Sequence, residues 1–271
     1  MTAFGNTSPT VSVSVSDRVT GGTMSKGNQI KWYRDGCWYK ADFLGYEGLA
    51  EHICSALLRA SSIKNYVVYE MVIINEVDSK ENFIGCKSDD FPATGVFHSI
   101  DTLLFRLPEK YNVFLEPRQT LKESIHDFSA GIEKYFNVDI INDIINMLAF
   151  DLLVGNEDRH LLNFGLIEDS GEFVFAPLFD HGLSLLSDLK SDTQHSCIDE
   201  IVYKPFGYSR KGGRGLDSLA AHPLSINMVQ FYHAEKEIRS TGIYSKSIID
   251  RAMSVLNKSM TETEGILWMK G

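Results

Sequence analysis

No run of apolar residues in this sequence approaches the roughly 20 that a membrane-spanning helix requires. The N-terminus MTAFGNTSPTVSVSVSDRV also lacks the basic start and apolar stretch of a signal peptide. The expectation is a cytoplasmic protein with no membrane span, although export without a cleaved signal would leave no such mark. Basic residues are scarce too, with 26 Lys and Arg against 36 Asp and Glu, for a net charge of -10. Direct contact with nucleic acid or an anionic membrane needs a basic footprint, so neither is expected. The few cysteines, Cys37, Cys54, Cys86 and Cys197, lie far apart with no CxxC pair and no zinc-ligand spacing. They read as reduced, structural thiols. No internal repeat, low-complexity tract or G-x-G-x-x-G loop is present.

What is present suffices for a sizeable core: 271 residues, 44% of them hydrophobic, suit one large domain or two lobes sharing a cleft. The first half reads as strands and turns with one helix. Val11 to Val15 alternates, and Ile30 to Tyr33 and Cys37 to Ala41 flank Arg34-Asp35-Gly36, where Gly tolerates the positive φ of a tight hairpin turn. Tyr46 to Ser61 carries Leu49, Ile53, Ala56, Leu57 and Ala60 at helical spacing, and Tyr66 to Asn75 is a dense β-branched and aromatic strand. The polar stretch Gly85 to Phe91 reads as turn-rich, which puts a hinge near it.

The second half turns helical. Thr120-Leu121-Lys122-Glu123 has the form of a capping box, followed by Leu121, Ile125, Phe128, Ile132 and Tyr135 on one face. Asp139 can cap a further helix, whose Ile140, Ile141, Ile144, Ile145, Leu148, Ala149 and Leu152 make a wide apolar face. Such a helix is deeply buried and gives the loop from Gly155 a rigid base. Closing helices are expected around Met228 to Ile238 and Ser247 to Leu256, after a basic glycine-rich loop, Ser209 to Gly215, whose Arg210, Lys211 and Arg214 could grip an acidic substrate or phosphorylated residue but which reads first as a solvated connection.

The most informative segment is DLLVGNEDRHLLNFGLIEDSGEFVFAPLFDHGLS, from Asp151 to Ser184. A buried helix runs into a polar turn with Asp158 and Asn163, then a hairpin, then Asp180 beside His181 and Gly182. Moving a γ-phosphoryl group needs a carboxylate to orient the acceptor hydroxyl and hard oxygen ligands to hold Mg²⁺ on the nucleotide phosphates. Asp158 fits the first role, and Asn163 and Asp180 the second, in the order a kinase uses. The reaction also needs a cation on the phosphates, oriented by an acid from the next helix. Lys40, on the second hairpin strand, is the candidate anchor. Glu47 and Glu51 lie one turn apart on one helix face, so spacing leaves both open as its partner, with a slight preference for Glu51. Upstream, Gly21 to Gly27 precedes the first hairpin strand, and Ser25, Lys26 and the loop's backbone N–H groups could cover phosphates.

On these residues the sequence resembles the HipA-like serine/threonine kinases, including the shorter bacterial members of the CtkA type. Their catalytic loop reads roughly D-x-H-x-x-N and their later metal Asp sits in P-x-[YF]-D, as in Asp158 to Asn163 and Pro177-Leu178-Phe179-Asp180. It is also similar to the phosphoinositide 3-/4-kinases in Asp158-Arg159-His160-Leu161-Leu162-Asn163 and Asp180-His181-Gly182. The resemblance implies an α+β, two-lobed protein-kinase-like fold, with a strand-rich small lobe over 1–90 and a helical large lobe over 91–271. It implies ATP and Mg²⁺ as cofactors, a protein substrate, and a small antitoxin-like partner as the family pattern. It also makes Thr23 and Ser25 candidates for autophosphorylation, places His160 under the catalytic loop against backbone, and leaves Arg159 as a surface or loop-bracing cation. Departures are His181 where protein kinases carry Phe, and no room for the long N-terminal extension of full-length HipA.

Other chemistries stay open at this point: a lipid kinase, a small-molecule kinase of the antibiotic-phosphotransferase kind, a nucleotide-sensing pseudokinase acting through a partner, and a hydrolase whose metal would sit on Asp158, His160, Asp180 and His181. The hydrolase leaves Asn163 and Lys40 without a role, and the intact Asp158, Asn163 and Asp180 set argues against a pseudokinase.

Overall fold

The computed structural model describes residues 9–19, 29–92, 94–111, 121–190, 224–265 and 268–271. The loop holding Thr23, Ser25 and Lys26, the Thr120 cap, Cys197 and the basic loop over 209–215 lie outside the described residues.

The small lobe is a five-stranded sheet in the order β1-β4-β5-β3-β2, formed by β1 (Thr10–Val13), β2 (Lys31–Arg34), β3 (Cys37–Ala41), β4 (Tyr69–Glu76) and β5 (Glu81–Asp89). Asp35 and Gly36 turn the β2–β3 hairpin with φ of 51° and 75°, which Gly tolerates without strain and Asp at modest cost. α1 (Glu47–Arg59) packs on β4 and β5 and buries Leu49, Ile53, Leu57 and Leu58 completely or nearly so. Each such side chain contributes about 2 kcal/mol of transfer free energy.

One expectation fails here. The stretch from Gly85 to Asp89 is not a turn but the second half of β5, paired with both β3 and β4. Gly85 is there because a Cβ would stand 2.0 Å from the Lys40 carbonyl oxygen and 2.9 Å from its carbon. In a strand interior, glycine marks such a close approach. The chain leaves the sheet only after Asp89.

The second lobe follows with β6 (Val96–Ser99), α2 (Ile100–Leu104), α3 (Leu121–Phe136) and α4 (Ile141–Val154). Next come β7 (Gly165–Asp169), β8 (Glu172–Phe175), β9 (Leu224–Ile226), α5 (Met228–Ser240), α6 (Lys246–Thr263) and β10 (Trp268–Lys270). β6, β7 and β8 form a three-stranded antiparallel sheet, and β9 pairs with β10 in parallel. Asp139 accepts from the Ile141 N–H at 3.1 Å but stands one residue before the N-cap, which is Ile140 and makes no side-chain cap bond, so the expected Asp139 cap is displaced by one residue. A continuous apolar core runs from Leu49, Ile53 and Leu57 of α1 to Ile144, Phe150 and Leu153 of α4, so α1 is gripped from both lobes. No helix among the described residues is long and apolar enough to cross a membrane.

The outer face of the small-lobe sheet carries a separate cluster of Val13, Trp32, Ala41, Val72 and Ile74. Beside it the fully buried Glu76 accepts from Arg18 Nε and Nη2, both at 2.6 Å, from Trp32 Nε1 at 2.8 Å and from Ser79 Oγ at 2.7 Å. The Arg18 hydrogen bond leads these contacts in holding the Glu76 carboxyl down at about 2, below its ordinary 4.5. A carboxyl depressed in the folded state adds stability above its unfolded pKa and loses it as pH falls through the folded one. Glu76→Gln is therefore expected to cost about 2 kcal/mol at pH 7, with the difference from wild type shrinking as pH falls from 4.5 towards 2. Urea unfolding across that range checks this, and a pH-independent difference would count against it.

Candidate active site

The site is assembled where α1, β3 and the loops around Asp158 and Asp180 meet. Lys40 projects from β3 with its Nζ 3.0 Å from Glu51 Oε1 and 2.9 Å from Asp180 Oδ1, and lies 5.2 Å from the centroid of the Tyr69 ring. Burial works against its charge, but Asp180 and then Glu51 overcome it and push the Lys40 pKa well above the usual range. Lys40 is thus firmly protonated. Burial likewise opposes ionisation of Asp180, but Lys40, Lys31 and Arg159 outweigh it and hold that carboxyl well below its ordinary value. In Glu51, burial and Asp180 prevail over Lys40 and raise the pKa.

The two glutamates that spacing left equivalent have different work. Glu51 uses its second oxygen, Oε2, to accept from the His181 N–H at 2.9 Å, so α1 ties Lys40 to the backbone just past Asp180. Glu47 turns back on the helix start and accepts from the N–H groups of Phe43, Leu44 and Gly45. It caps the loop before α1 and makes no ion pair with Lys40 among the described contacts.

α4 ends at Gly155, a left-handed residue with φ 64° that only Gly adopts freely. The loop beyond is then built on Arg159. This residue is 2% exposed, so of the two roles expected for it, surface cation or loop brace, it takes the second. Its Nε and Nη2 donate to Asp151 Oδ2 and Oδ1 at 2.7 and 3.0 Å, and its Nη1 donates to the carbonyls of Asn163 at 2.5 Å and Phe179 at 2.9 Å. The Arg159 Nη2 also lies 3.1 Å from His181 Nε2. Burial and Arg159 push the His181 pKa far down, so its ring is neutral and its Nε2 accepts. One guanidinium therefore fixes the end of α4, the Asp158–Asn163 loop and the residues flanking Asp180.

Asn163 donates through Nδ2 to the Asp158 carbonyl at 3.0 Å. That bond sets the amide's orientation and leaves Oδ1 as the atom suited to a hard cation. His160 hydrogen-bonds backbone as expected, accepting from the Leu162 N–H at Nδ1, and its Nε2 is 3.6 Å from Asp158 Oδ2. Asp158, Asp180, Glu51, Glu47, Cys86 and Gly182 line one cleft enclosing about 650 Å³ of space open to solvent. Behind it the rings of Phe91, Phe97 and Phe179 pack on one another at 4.8 to 5.8 Å between centroids. Asp180 itself has φ 61°, a conformation Asp and Asn tolerate better than other side-chain-bearing residues. The donor set of an Asp carboxylate and an Asn amide oxygen fits Mg²⁺, which takes oxygen ligands and completes its shell with water and phosphate. Among the described residues no group of three or more His, Cys, Asp or Glu gathers into a metal-holding cluster. The hydrolase arrangement around His160 and His181 gains no support from this geometry.

No family model matches the sequence, and no curated protein matches it either. Solved structures do. The proinflammatory kinase CtkA of Helicobacter pylori is 16% identical and superposes with a TM-score of 0.58 over 94% of this chain and 95% of that one. The chain has a HipA/CtkA-like kinase fold. HipA of Shewanella oneidensis MR-1, solved with HipB and operator DNA, is 13% identical with a TM-score of 0.51, over 87% of this chain and 64% of that one. The Fam20 structure from hydra, solved with sugar, reaches a TM-score of 0.42 at 12% identity. In this α+β, two-lobed fold the site residues chosen from sequence that are described, all but Ser25 and Lys26, fall into three groups. Lys40, Glu51 and Asp180 are in direct contact, Asp158 and Asn163 share the adjoining loop, and Glu47 lines the cleft as a cap. Lys31, Asp151 and Arg159 are charged residues of this neighbourhood outside the set that the sequence assigns to the site.

Proposed function

We propose that this chain is an ATP- and Mg²⁺-dependent phosphotransferase, with a serine or threonine hydroxyl of a protein as acceptor. The observation that carries the reading is Lys40 bridging Glu51 and Asp180 at 3.0 and 2.9 Å beside the Asp158–Asn163 loop. It is supported by kinase-fold neighbours that span most of the chain. The division into a small lobe over 1–90 and a large lobe over 91–271 belongs to the same proposal, with the cleft between them as the nucleotide site.

In this reading Lys40 holds nucleotide phosphates, and Glu51 keeps its ammonium aimed into the cleft. Asp180 and Asn163 hold Mg²⁺, which when bound neutralises charge on the phosphates. Asp158 orients the acceptor hydroxyl and takes its proton as the oxygen attacks the γ-phosphorus. The leaving group is ADP, and the product a phosphate ester. Most of the catalytic work is positioning and electrostatics, which is why a loop braced by a buried guanidinium suits it. Cys54 and Cys86 take no part, since burial above all pushes both thiols well up.

The test is transfer from γ-labelled ATP in Mg²⁺ and in EDTA, offering the protein itself, a generic protein substrate and a phosphoinositide. Mg²⁺-dependent label on protein is the expected result. Label on lipid alone would reassign the acceptor, and ATP binding with no transfer to any acceptor would point to a nucleotide sensor.

A further inference from the structure

The start of α1 is fixed by contacts from both lobes. Asp42, at the exit of β3, accepts from the Gly48 N–H in the first turn of α1 with Oδ1 at 2.7 Å, and its own N–H donates to the Ile84 carbonyl on β5 at 2.8 Å. Its other oxygen, Oδ2, accepts from the hydroxyl of Tyr244 at 2.8 Å. Tyr244 stands in the turn between α5 and α6, nearly buried, with its ring in the core that joins the lobes. One hydroxyl of the second lobe therefore holds the carboxyl that caps the small-lobe helix. Gly48 records how tight the fit is. A Cβ there would stand 2.8 Å from Tyr244 Oη and 2.6 Å from the Gly85 carbonyl carbon, so α1 has no slack between Tyr244 and β5.

The two ends of the Asp42–Gly48 bond lie beside the two partners of the central ion pair. Lys40 is on β3 just before Asp42, and Glu51 follows Gly48 on α1 by one turn and meets Lys40 at 3.0 Å. Residues one turn apart share a helix face, so a displacement of the α1 start is felt at Glu51. Tyr244 keeps its proton, because burial and then the Asp42 charge push its pKa far up. Burial also raises Asp42, to about 7, against the Gly48 and Tyr244 hydrogen bonds that lower it, and Glu47 of α1 acts in the same direction as burial. Cys86 on β5 also feels Asp42, and burial above all keeps it a neutral thiol. Ionised, Asp42 accepts charge-assisted bonds from both donors; protonated, it makes weaker, neutral ones.

Resting on the phosphotransferase reading, we propose that Tyr244 and Asp42 are positioning residues of the transfer site: the Tyr244 hydroxyl holds the Asp42 carboxyl on the start of α1, and this contact sets the reach of Glu51 to Lys40. Neither side chain touches the reacting groups. The second lobe thereby governs the small-lobe ion pair through a single hydroxyl, and the closeness of Tyr244 to Gly48 keeps the link stiff.

Steady-state transfer by wild type, Asp42→Asn, Tyr244→Phe and the double variant, across the neutral pH range and with unfolding midpoints on the same samples, tests it. Wild-type kcat is expected to rise about fivefold as pH climbs through about 7, while KM for the acceptor stays within about twofold. Asp42→Asn should remain at the low-pH rate throughout. Tyr244→Phe should keep the rise but at higher pH, because it loses one of the two bonds that lower the Asp42 pKa. The double variant should be no slower than Asp42→Asn alone, as both changes act through one carboxyl. If Asp42→Asn fails to fold, the displaced rise in Tyr244→Phe carries the test. A wild-type profile flat through neutrality, an unmoved rise in Tyr244→Phe, or variants that lose stability while keeping wild-type kcat would overturn the role of this pair and leave the kinase reading standing. Wild type with no transfer to any acceptor would overturn the kinase reading, and this role with it.

Discussion

Asp180→Asn is expected to reduce phosphoryl transfer by on the order of 10³-fold, the scale seen when a preorganised electrostatic group is removed from a reacting centre. Asparagine is the right probe because the backbone at this position has φ 61°, which Asn accepts as readily as Asp. Alanine would add backbone strain and confuse folding with chemistry. The substitution removes one of the two carboxylates on Lys40, which stays paired with Glu51 at 3.0 Å, so the variant should fold. On the role proposed for Asp180 it would also remove the anionic ligand for Mg²⁺. Transfer within about tenfold of wild type, measured on protein with an unchanged unfolding midpoint, would mean that Asp180 is not the metal-holding acid.

The second large effect is on stability. Arg159→Leu should cost about 3–5 kcal/mol, because it leaves the Asp151 carboxylate buried without its cation. Asp151 is fully buried and accepts two hydrogen bonds from Arg159 and one from Asn156. Leucine cannot replace a fork that also donates to the carbonyls of Asn163 and Phe179, and lysine is no substitute for bidentate geometry. Combining Arg159→Leu with Asp151→Leu is expected to cost less than the sum of the two single changes, since the double variant buries no unpaired charge. Urea unfolding of the three variants checks both statements. A loss below about 1 kcal/mol for Arg159→Leu would show that the buried pair is not what holds the catalytic loop.

The parts of this structure that could be read from the sequence are those with strong local chemistry. Asp35-Gly36 and Ser170-Gly171 form the turns their positive φ requires, and the apolar faces of α1 and α4 become the core that joins the lobes. Asp158, Asn163 and Asp180 were singled out because one reaction needs all of those residue types in that order. What stayed hidden depends on tertiary contact. The end of β5 looks like a turn because Gly85 and its polar neighbours lack β propensity, and only the approach of the Lys40 carbonyl explains the glycine. Glu47 and Glu51 share a helix face, so only the three-dimensional position of Lys40 separates the cap from the ion-pair partner. Arg159 reads as either a surface or a loop-bracing cation, and only Asp151, one helical turn before the end of α4 and facing it, decides for the buried brace. A charged residue on the inward face of a helix as apolar as α4 is the signal that could have revealed that pair.

The most direct measurement is single-turnover transfer from γ-labelled ATP by wild type and Asp158→Asn, with ATP affinity determined on the same samples. A residue that orients and deprotonates the acceptor should leave nucleotide binding intact and slow transfer by about 10²- to 10⁴-fold. Equal transfer rates in the two proteins would contradict the assignment of this cleft as a phosphoryl-transfer site built around Asp158.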